Sequence, residues 1–447
     1  MDDLAYLPAR ELARRIRHRE LTAADALEAA LARIDRHNPA LNAVVSMQVG
    51  AARRAAAEAD ATLRRGAPLG PLHGVPVTLK DCHDVAGMRT TVGSEVFDRV
   101  PGRDGAVAAR LKTAGAVIVG HTNVPPFLAD YVSDNPIFGR THNPWNLDRT
   151  PGGSSGGAAA ALAAGMTPLE VGSDLAGSLR LPPHFCGVYG LKATERRIPT
   201  TGFFRPPDGV PPSVRILGSL GPMARDLDDL ELVLRLLSGP DGMDTDVPPV
   251  PLPARLACDP ATLRLAVAPA LPQATVAPAL REQVTRVAAA ASDTGAQVRE
   301  ALPELDWAEQ RLFGELLAIT EVFVPGAEPK TLAWYFEALA RRDRFITAWH
   351  RFFEGYDALV LPPAATVAFG HEVTDTSHQG YMMIFANLAG LPVLTVPAGR
   401  DGDGLPVGVQ LVGPQWSEVR LLEIAAALEA ASVLPGFTAP PGFREGG

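Results

Sequence analysis

The chain contains little cysteine for its length. Three cysteines occur among 447 residues (Cys82, Cys186 and Cys258), and no two of them form a CxxC pair. An odd number of cysteines forms no complete disulfide framework, and the histidines show no HxxxH or comparable metal-ligand spacing. We therefore expect a cytoplasmic protein without a metal site or other cofactor.

Long hydrophobic runs and an excess of positive charge are also absent. No apolar run approaches the roughly 20 residues that a membrane-spanning helix needs, and the N-terminus, MDDLAYLPAR, lacks the apolar core of a signal peptide. The net charge of −9 and a pI near 5.6 argue against nucleic acid or an anionic membrane as a partner. We expect a small-molecule substrate and a monomer or homodimer.

Predicted strands alternate with predicted helices along much of the chain. Hydrophobic residues make up 47% of the sequence, which is enough for a large core. Thr22 and Asp25 resemble a capping box that starts a helix. Strands are predicted at Val75–Leu79, Ala116–Val119, Pro168–Ser173, Ala358–Leu361, Val393–Val396 and Val407–Val412, and helices at Ala106–Ala114, Ala158–Ala164, Ala279–Ala291 and Glu418–Ala431. The alternation favours an α/β sheet that is covered on both faces.

The candidate catalytic residues lie in one segment and at one upstream position. The segment is Pro151–Pro182, with the sequence PGGSSGGAAAALAAGMTPLEVGSDLAGSLRLP, and the upstream residue is Lys80, near the end of the apolar run GVPVTLKD. A serine hydroxyl needs a base that removes its proton, and lysine serves as that base when burial lowers its pKa from about 10.4. Ser154 and Ser178 supply two hydroxyls, one to relay the proton and one to attack. Small residues around Ser178 allow backbone N–H groups to converge on an oxyanion. The combination fits acyl transfer.

Other interpretations of these residues are weaker. The GGSSGG run before an Ala-rich stretch resembles a phosphate loop, but it lacks the Gly-Lys-Ser/Thr ending. His184 and Cys186 invite a Ser/His or Cys/His site, yet no third group is available to orient the histidine. Taken singly, Lys80 would usually be a solvated surface charge and Ser178 a cap or turn residue.

The same motifs resemble the amidase signature family of serine hydrolases. The likeness also covers GVPVTLKDCHDVAGMRTTVGS and NLAGLPVLTVPAGRDGDGLPVGVQLVGP, and it runs from about Leu7 to Glu429. It implies the α/β amidase signature fold, with a central mixed β-sheet covered on both faces by helices. We expect a single amidase domain over residues 1–447: an N-terminal helical part (1–65), a catalytic core (66–235), a variable helical region (236–355) and C-terminal sheet strands with a helix (356–447).

The resemblance also implies residue roles. Lys80 would be the base, Ser154 the bridging serine, and Ser178 the nucleophile, with a cis peptide bond between Gly153 and Ser154. The backbone N–H groups expected to form the oxyanion hole are those of Leu175, Ala176, Gly177 and Ser178, and the supporting residues are Ser155, Asp174 and Arg180.

The chain departs from the family at the oxyanion turn. The common form reads Asp-Thr-Gly-Gly-Ser, whereas this chain has Asp174-Leu175-Ala176-Gly177-Ser178. Alanine accepts fewer backbone angles than glycine. Backbone donors survive such a change in principle, so we interpret the departure as subfamily drift and not as loss of activity.

Two segments are expected to line the substrate pocket by resemblance. The first is Asn123–Asn135, which contains Phe127, Leu128 and Tyr131. The second is Leu312–Phe353, with the aromatic residues Phe313, Phe323, Trp334, Tyr335 and Phe336. Any one of these aromatics is more often a core residue, but their abundance suits an apolar or aryl substrate.

Three functions are compatible with the sequence. The first is an amidohydrolase that cleaves small amides, anilides, esters or carbamates (urethanes) through a Ser-Ser-Lys triad and an acyl-enzyme. The second is the amidase subunit of a tRNA-dependent amidotransferase, which works only within its complex. The third is a non-catalytic binding protein on the same fold, against which the intact Lys80, Ser154 and Ser178 argue.

Overall fold

The computed structural model describes residues 4–204, 216–318 and 330–443. The strands within these ranges are β1 (Val44–Met47), β2 (Pro76–Lys80), β3 (Val117–Thr122), β4 (Asp134–Asn135), β5 (Gly139–Arg140), β6 (Leu169–Asp174), β7 (Tyr189–Lys192), β8 (Ser219–Ala224), β9 (Arg264–Val267), β10 (Gln297–Glu300), β11 (Ala358–Leu361), β12 (Val393–Arg400) and β13 (Pro406–Val412).

The α-helices of the same ranges vary from five to 22 residues. They are α1 (Ala9–Arg17), α2 (Ala23–Leu41), α3 (Val49–Arg64), α4 (Ala106–Thr113), α5 (Gly156–Ala163), α6 (Leu181–Cys186), α7 (Leu227–Leu237), α8 (Pro278–Asp293), α9 (Arg311–Leu317), α10 (Leu332–Phe353), α11 (Ile384–Leu388) and α12 (Glu418–Ala430). Within the described ranges, no helix is both long and apolar enough to cross a membrane.

An eight-stranded mixed sheet forms the centre of the molecule, in the order β10-β9-β11-β13-β12-β7-β8-β6. β9 pairs in parallel with β10 and β11, and the remaining neighbours are antiparallel. β9 and β10 lie in the segment 236–355, which therefore contributes two strands as well as helices.

Successive residues of the central strands enter two different hydrophobic clusters. In β11, Ala358 and Val360 pack with residues of α7, α8 and α12, whereas Leu359 and Leu361 pack with residues of α9, α10 and α11. Because side chains of a strand alternate between the two faces of a sheet, helices cover both faces. This confirms the fold class that the sequence predicts.

A smaller three-stranded sheet, in the order β1-β3-β2, holds the lysine segment. β2 runs parallel to β3 and lies beside β6, so the end of β2 faces the end of the large sheet. All five residues of β2 are buried. The junction of β2 and β6 therefore carries Lys80 into the interior, next to the strand that leads to Ser178.

Most predicted elements are present within a few residues of their predicted bounds. The capping box is formed, because the Thr22 hydroxyl accepts from the Asp25 N–H and the Asp25 carboxylate accepts from the Thr22 N–H. The predicted β11 agrees in both bounds, and the predicted helix at Ala158–Ala164 begins two residues earlier, at Gly156. The prediction did not include β1, β4, β5, β9 and β10. It also did not include β7 and β8, since their short Gly- and Pro-containing sequences lack a strand pattern.

Candidate active site

Lys80 lies fully buried at the end of β2. Its Nζ donates a hydrogen bond of 2.7 Å to Ser154 Oγ and one of 2.9 Å to Ser173 Oγ. The carbonyl oxygen of Ser173 lies 3.4 Å from the same nitrogen. The lysine head group is thus held by three oxygens and none of them belongs to a carboxylate.

Burial lowers the pKa of Lys80 from 10.5 to about 8. The neighbouring acidic groups Cys82, Asp174 and Glu170 act in the opposite direction but do not outweigh burial. A lysine with this pKa is partly neutral near physiological pH, and the neutral amine has a lone pair that accepts a proton. The environment therefore gives Lys80 the protonation behaviour of a base.

Ser154 links the lysine to Ser178. Its hydroxyl donates a hydrogen bond of 2.9 Å to Ser178 Oγ while it accepts the bond from Lys80. The Gly153–Ser154 peptide bond is cis, as the family resemblance implies. The structure brings the three predicted residues into one continuous hydrogen-bonded chain, Lys80–Ser154–Ser178.

The turn from Asp174 to Ser178 presents backbone N–H groups beside the Ser178 hydroxyl. Gly177 has a φ of +122°, whereas Leu175 and Ala176 are outside the set of residues with positive φ in the described ranges. The position that needs glycine is therefore occupied by glycine, and Ala176 fits without backbone strain. The departure from the common turn sequence therefore places no side chain at the positive-φ position of the turn.

One of the predicted oxyanion donors is already engaged. The Gly177 N–H donates a hydrogen bond of 2.9 Å to Asp174 Oδ1. Among the described residues, the N–H groups of Leu175, Ala176 and Ser178 have no acceptor. In this structure the Gly177 N–H is thus engaged with the carboxylate that closes the turn, and the other three predicted donors are the ones left open.

A buried ion pair fixes the same turn from behind. Arg180 donates to the Asp174 carboxylate through Nε at 2.9 Å and Nη2 at 2.7 Å, and both side chains are fully buried. Burial opposes ionisation of Asp174, but the charge and hydrogen bonds of Arg180 outweigh it and hold the pKa of the carboxyl well below its ordinary range. Asn387 of α11 donates to the same carboxylate at 3.0 Å.

A cavity of about 270 Å³ opens onto Ser154 and Ser178. Its walls are mainly apolar, and the side chains that line it are those of Phe127, Leu128, Tyr131, Leu175, Ala176, Phe203, Phe204 and Leu317, besides polar groups near the serines. Phe127 and Leu128 both have positive φ, 56° and 60°, which is uncommon for bulky residues. Such strained backbone clusters at ligand-binding sites.

Tyr131 lines the cavity and also contacts the turn that leads to Ser178. Its hydroxyl donates a hydrogen bond of 2.9 Å to the carbonyl oxygen of Ala176. The ring therefore lines the cavity while its hydroxyl holds the carbonyl side of the oxyanion turn. Phe127 and Tyr131, the two pocket residues of the prediction, both line this cavity.

The other predicted residues are divided between the site, the core and the rest of the described structure. The Ser155 hydroxyl makes one long contact, 3.5 Å to the Ser173 carbonyl oxygen, and reaches Lys80 only through that group. Of the second pocket segment, Gly314 and Leu317 of α9 line the cavity. Phe313 is in the core, Trp334, Tyr335 and Phe336 lie on α10 away from the described cavity wall, and Phe323 falls outside the described residues.

His184 and Cys186 form no site with Ser178. His184 accepts from the Gly408 N–H at 2.8 Å and lies 3.1 Å from the Thr366 carbonyl oxygen, and burial lowers its pKa to about 4. Cys186 is buried against the carbonyl of Pro151. Both are core residues with satisfied contacts, and the Ser/His and Cys/His interpretations are wrong.

The prediction did not include three residues that shape the site. Ser173 contacts Lys80, Asn387 contacts Asp174, and the Met383 side chain packs where a Cβ on Gly177 would be. Ser173 lies within the motif, and its position directly before Asp174 was a usable signal. Asn387 and Met383 come from the region of α11, more than 200 residues away, and no local pattern points to them.

Comparisons with known proteins identify the family of the chain. The amidase family model matches residues 25–323 and 323–422. The chain therefore belongs to the amidase signature family, whose members hydrolyse carbon–nitrogen bonds.

Relatives found by sequence and relatives found by structure both match nearly the whole chain. A glutamyl-tRNA(Gln) amidotransferase subunit of Moorella thermoacetica is 34% identical over 96% of this chain and 97% of its own length. A solved chain of the vestigial protein complex related to the origins of an s-triazine catabolic enzyme has a TM-score of 0.86 and 28% identity, covering 96% of this chain and 99% of that one. The 6-aminohexanoate cyclic dimer hydrolase solved with its substrate has a TM-score of 0.85 and 25% identity, covering 99% and 100%.

These relatives bear on the two enzyme functions that the sequence left open. The Moorella protein is, by its name, one subunit of an amidotransferase. The other two similarities are to an s-triazine-related complex and to a hydrolase of a cyclic dimer. All three share the family fold, which leaves the substrate to be decided by the pocket.

Proposed function

We propose that this protein is an amidohydrolase that cleaves small apolar amides by a serine mechanism. The observation that carries the proposal is the hydrogen-bonded chain Lys80–Ser154–Ser178, which ends in a mainly apolar cavity. A carbonyl carbon placed in that cavity lies in front of the Ser178 hydroxyl and beside the unengaged N–H groups of the turn.

The first half of the reaction acylates Ser178. Its Oγ attacks the amide carbonyl carbon while its proton passes to Ser154 Oγ, and the Ser154 proton passes to Lys80 Nζ. The N–H groups of Leu175, Ala176 and Ser178 stabilise the negative oxygen that forms. The proton then returns from Lys80 through Ser154 to the leaving nitrogen, the C–N bond breaks, and the amine departs.

The second half releases the acid. Water attacks the carbonyl carbon of the ester on Ser178 and gives its proton through Ser154 to Lys80. Collapse of this second tetrahedral intermediate breaks the bond to Ser178 Oγ, which recovers its proton by the same route. An ester or a carbamate acylates Ser178 in the same way, so these are secondary substrates of the proposed mechanism.

The charge of the cavity favours an apolar amide over a free amino acid. Among the described residues that line it, the charged side chains are Asp130 and Asp174, and Asp174 is paired with Arg180. No lysine or arginine is among the described residues of the wall, so this part of the wall offers no cationic partner to the carboxylate of glutamine. A buried, unpaired carboxylate is strongly unfavourable.

A second candidate function is the amidase subunit of a tRNA-dependent amidotransferase. The similarity to the Moorella protein, which extends over nearly the whole length of both chains, supports it. This function needs release of ammonia from a primary amide donor such as glutamine, and it needs partner subunits. The two functions therefore differ in their requirement for a complex and in their acceptance of a charged substrate.

One panel of substrates separates the two functions. The purified chain is assayed with an aryl amide, benzamide, glutamine, an aryl ester and an aryl carbamate, and each assay is repeated with Ser178→Ala. Hydrolysis of the aryl amide that is lost in the variant supports the stand-alone amidohydrolase. Hydrolysis of glutamine alone, or no activity until partner proteins are added, contradicts it and favours the second candidate.

A further inference from the structure

Four serines line the cavity, and their hydroxyl groups differ in one respect. Ser154, Ser173 and Ser178 are joined to the lysine chain by hydrogen bonds. Ser219 has no hydrogen-bond partner for its Oγ among the described residues, although the residue is only 6% exposed. A buried hydroxyl without a partner is unfavourable in a folded protein. The unsatisfied hydroxyl therefore points to a ligand.

Ser219 lines the same cavity as Ser154 and Ser178. It begins β8, where it lies directly opposite Asp174 of β6 in the antiparallel register. Opposite residues of an antiparallel pair have Cβ atoms roughly 5 Å apart and point to the same face. Asp174 is the first residue of the oxyanion turn, so Ser219 lies at the base of that turn.

We propose that Ser219 is a specificity-determining residue whose hydroxyl binds a polar group of the substrate. The inference rests on the proposed function, because it takes the cavity to be the substrate pocket. The preferred substrates are then apolar amides that carry one further hydrogen-bonding group, such as a hydroxyl or a carbonyl oxygen, besides the scissile amide. The apolar walls bind the apolar part of the substrate, and the Ser219 hydroxyl determines where on the substrate this polar group must lie.

Binding to an enzyme that cannot turn over tests the proposal independently of catalysis. Isothermal titration calorimetry compares Ser178→Ala with the double variant Ser178→Ala/Ser219→Ala. The ligands are benzanilides that carry a hydroxyl at each position of either ring in turn, and the matched compounds with methyl in place of hydroxyl. One hydrogen bond corresponds to a change in Kd of about three- to tenfold.

For at least one ring position, the hydroxyl compound is expected to bind Ser178→Ala about three- to tenfold more tightly than its methyl counterpart. The preference should vanish in the double variant. A preference that survives the loss of Ser219, equal affinities at every position, or no binding of any compound overturns the proposal. Hydrolysis without this preference would refute the inference alone, and the preference without hydrolysis would refute the proposed function alone.

Thermal unfolding distinguishes the proposed role from a structural one. Ser219→Ala removes no hydrogen bond, so its Tm should equal or exceed that of the unmodified chain. Ser133 is the matched control, because its buried hydroxyl donates to the Gly152 carbonyl at 3.0 Å and accepts from the Gly156 N–H at 3.0 Å. Ser133→Ala should lower the Tm, and an equal decrease in Ser219→Ala would overturn the proposal.

Discussion

Lys80 Nζ lies 2.7 Å from Ser154 Oγ, and both side chains are buried in the junction between the two sheets. Among the residues that the structure describes, no carboxylate is a hydrogen-bond partner of the lysine, and burial lowers its pKa to about 8. This contact joins the amine of Lys80, which can accept a proton, to the hydroxyl of Ser154, which can release one.

The pH dependence of kcat/KM should follow the titration of Lys80. Only the neutral amine accepts the proton of Ser154, and the pKa of about 8 lies below the ordinary value of 10.5. The rate should therefore rise about tenfold per pH unit below pH 8 and level off above it. Rates at saturating and at low concentrations of an aryl amide between pH 5 and 10 measure this profile. A rate that falls between pH 6 and 8 would exclude a lysine base.

The two serines should act as a unit. Ser178→Ala should lower kcat at least on the order of 10³-fold because the nucleophile is lost, and Ser154→Ala should cause a loss of similar order because the proton route is broken. The double variant should be little worse than either single variant. Steady-state kinetics of all three test this, with Ser238→Ala as the control since Ser238 lies at the end of α7. Losses that multiply in the double variant would argue against a shared relay.

Gly177→Ala should inactivate the enzyme. Its φ of +122° strains any side chain, and a Cβ there would overlap the thioether of Met383. The turn would shift and carry the N–H groups of Ala176 and Ser178 out of position, which we expect to cost at least on the order of 10²-fold in kcat. Gly355→Ala is the control, because the nearest atom to its Cβ would be 3.6 Å away. Equal activity of the two variants would contradict the role of the turn.

Asp174→Asn should destabilise the fold as well as the site. The change leaves the Arg180 guanidinium buried without its counter-charge, and breaking such a pair costs about 3–5 kcal/mol of the free energy of unfolding. Urea denaturation measures the loss. Glu28→Gln breaks the exposed pair with Arg53 and should leave the midpoint unchanged. A midpoint for Asp174→Asn equal to that of the unmodified chain would show that the buried pair is dispensable.

The sequence predicts the elements of this fold better than it predicts their arrangement. β11 is an uninterrupted apolar run, ALVL, and its bounds agree with the prediction. The order of the eight strands depends on pairing between segments far apart in the chain, such as β7 with β12. No local pattern encodes such pairing, and β7 and β8 were not predicted at all.

In the candidate site, too, the sequence predicts individual residues better than it predicts the contacts between distant segments. The motif predicts Lys80, Ser154 and Ser178, and the structure joins them. The prediction did not include the contact of Asn387 with Asp174 or the cavity wall formed by Phe203, because these depend on tertiary packing. The prediction also did not include the hydrogen bond that the Gly177 N–H donates to the carboxylate of Asp174, three residues before it.

Covalent labelling of the purified chain tests the central claim most directly. The label is an aryl carbamate, which carbamoylates the nucleophile of a serine hydrolase and forms an adduct that water hydrolyses only slowly. Mass spectrometry of proteolytic peptides then locates the adduct. The mechanism predicts one adduct per chain on Ser178, formed faster as the pH rises through about 8 and absent in Ser178→Ala. An adduct on another residue, or undiminished amide hydrolysis by Ser178→Ala, would contradict it.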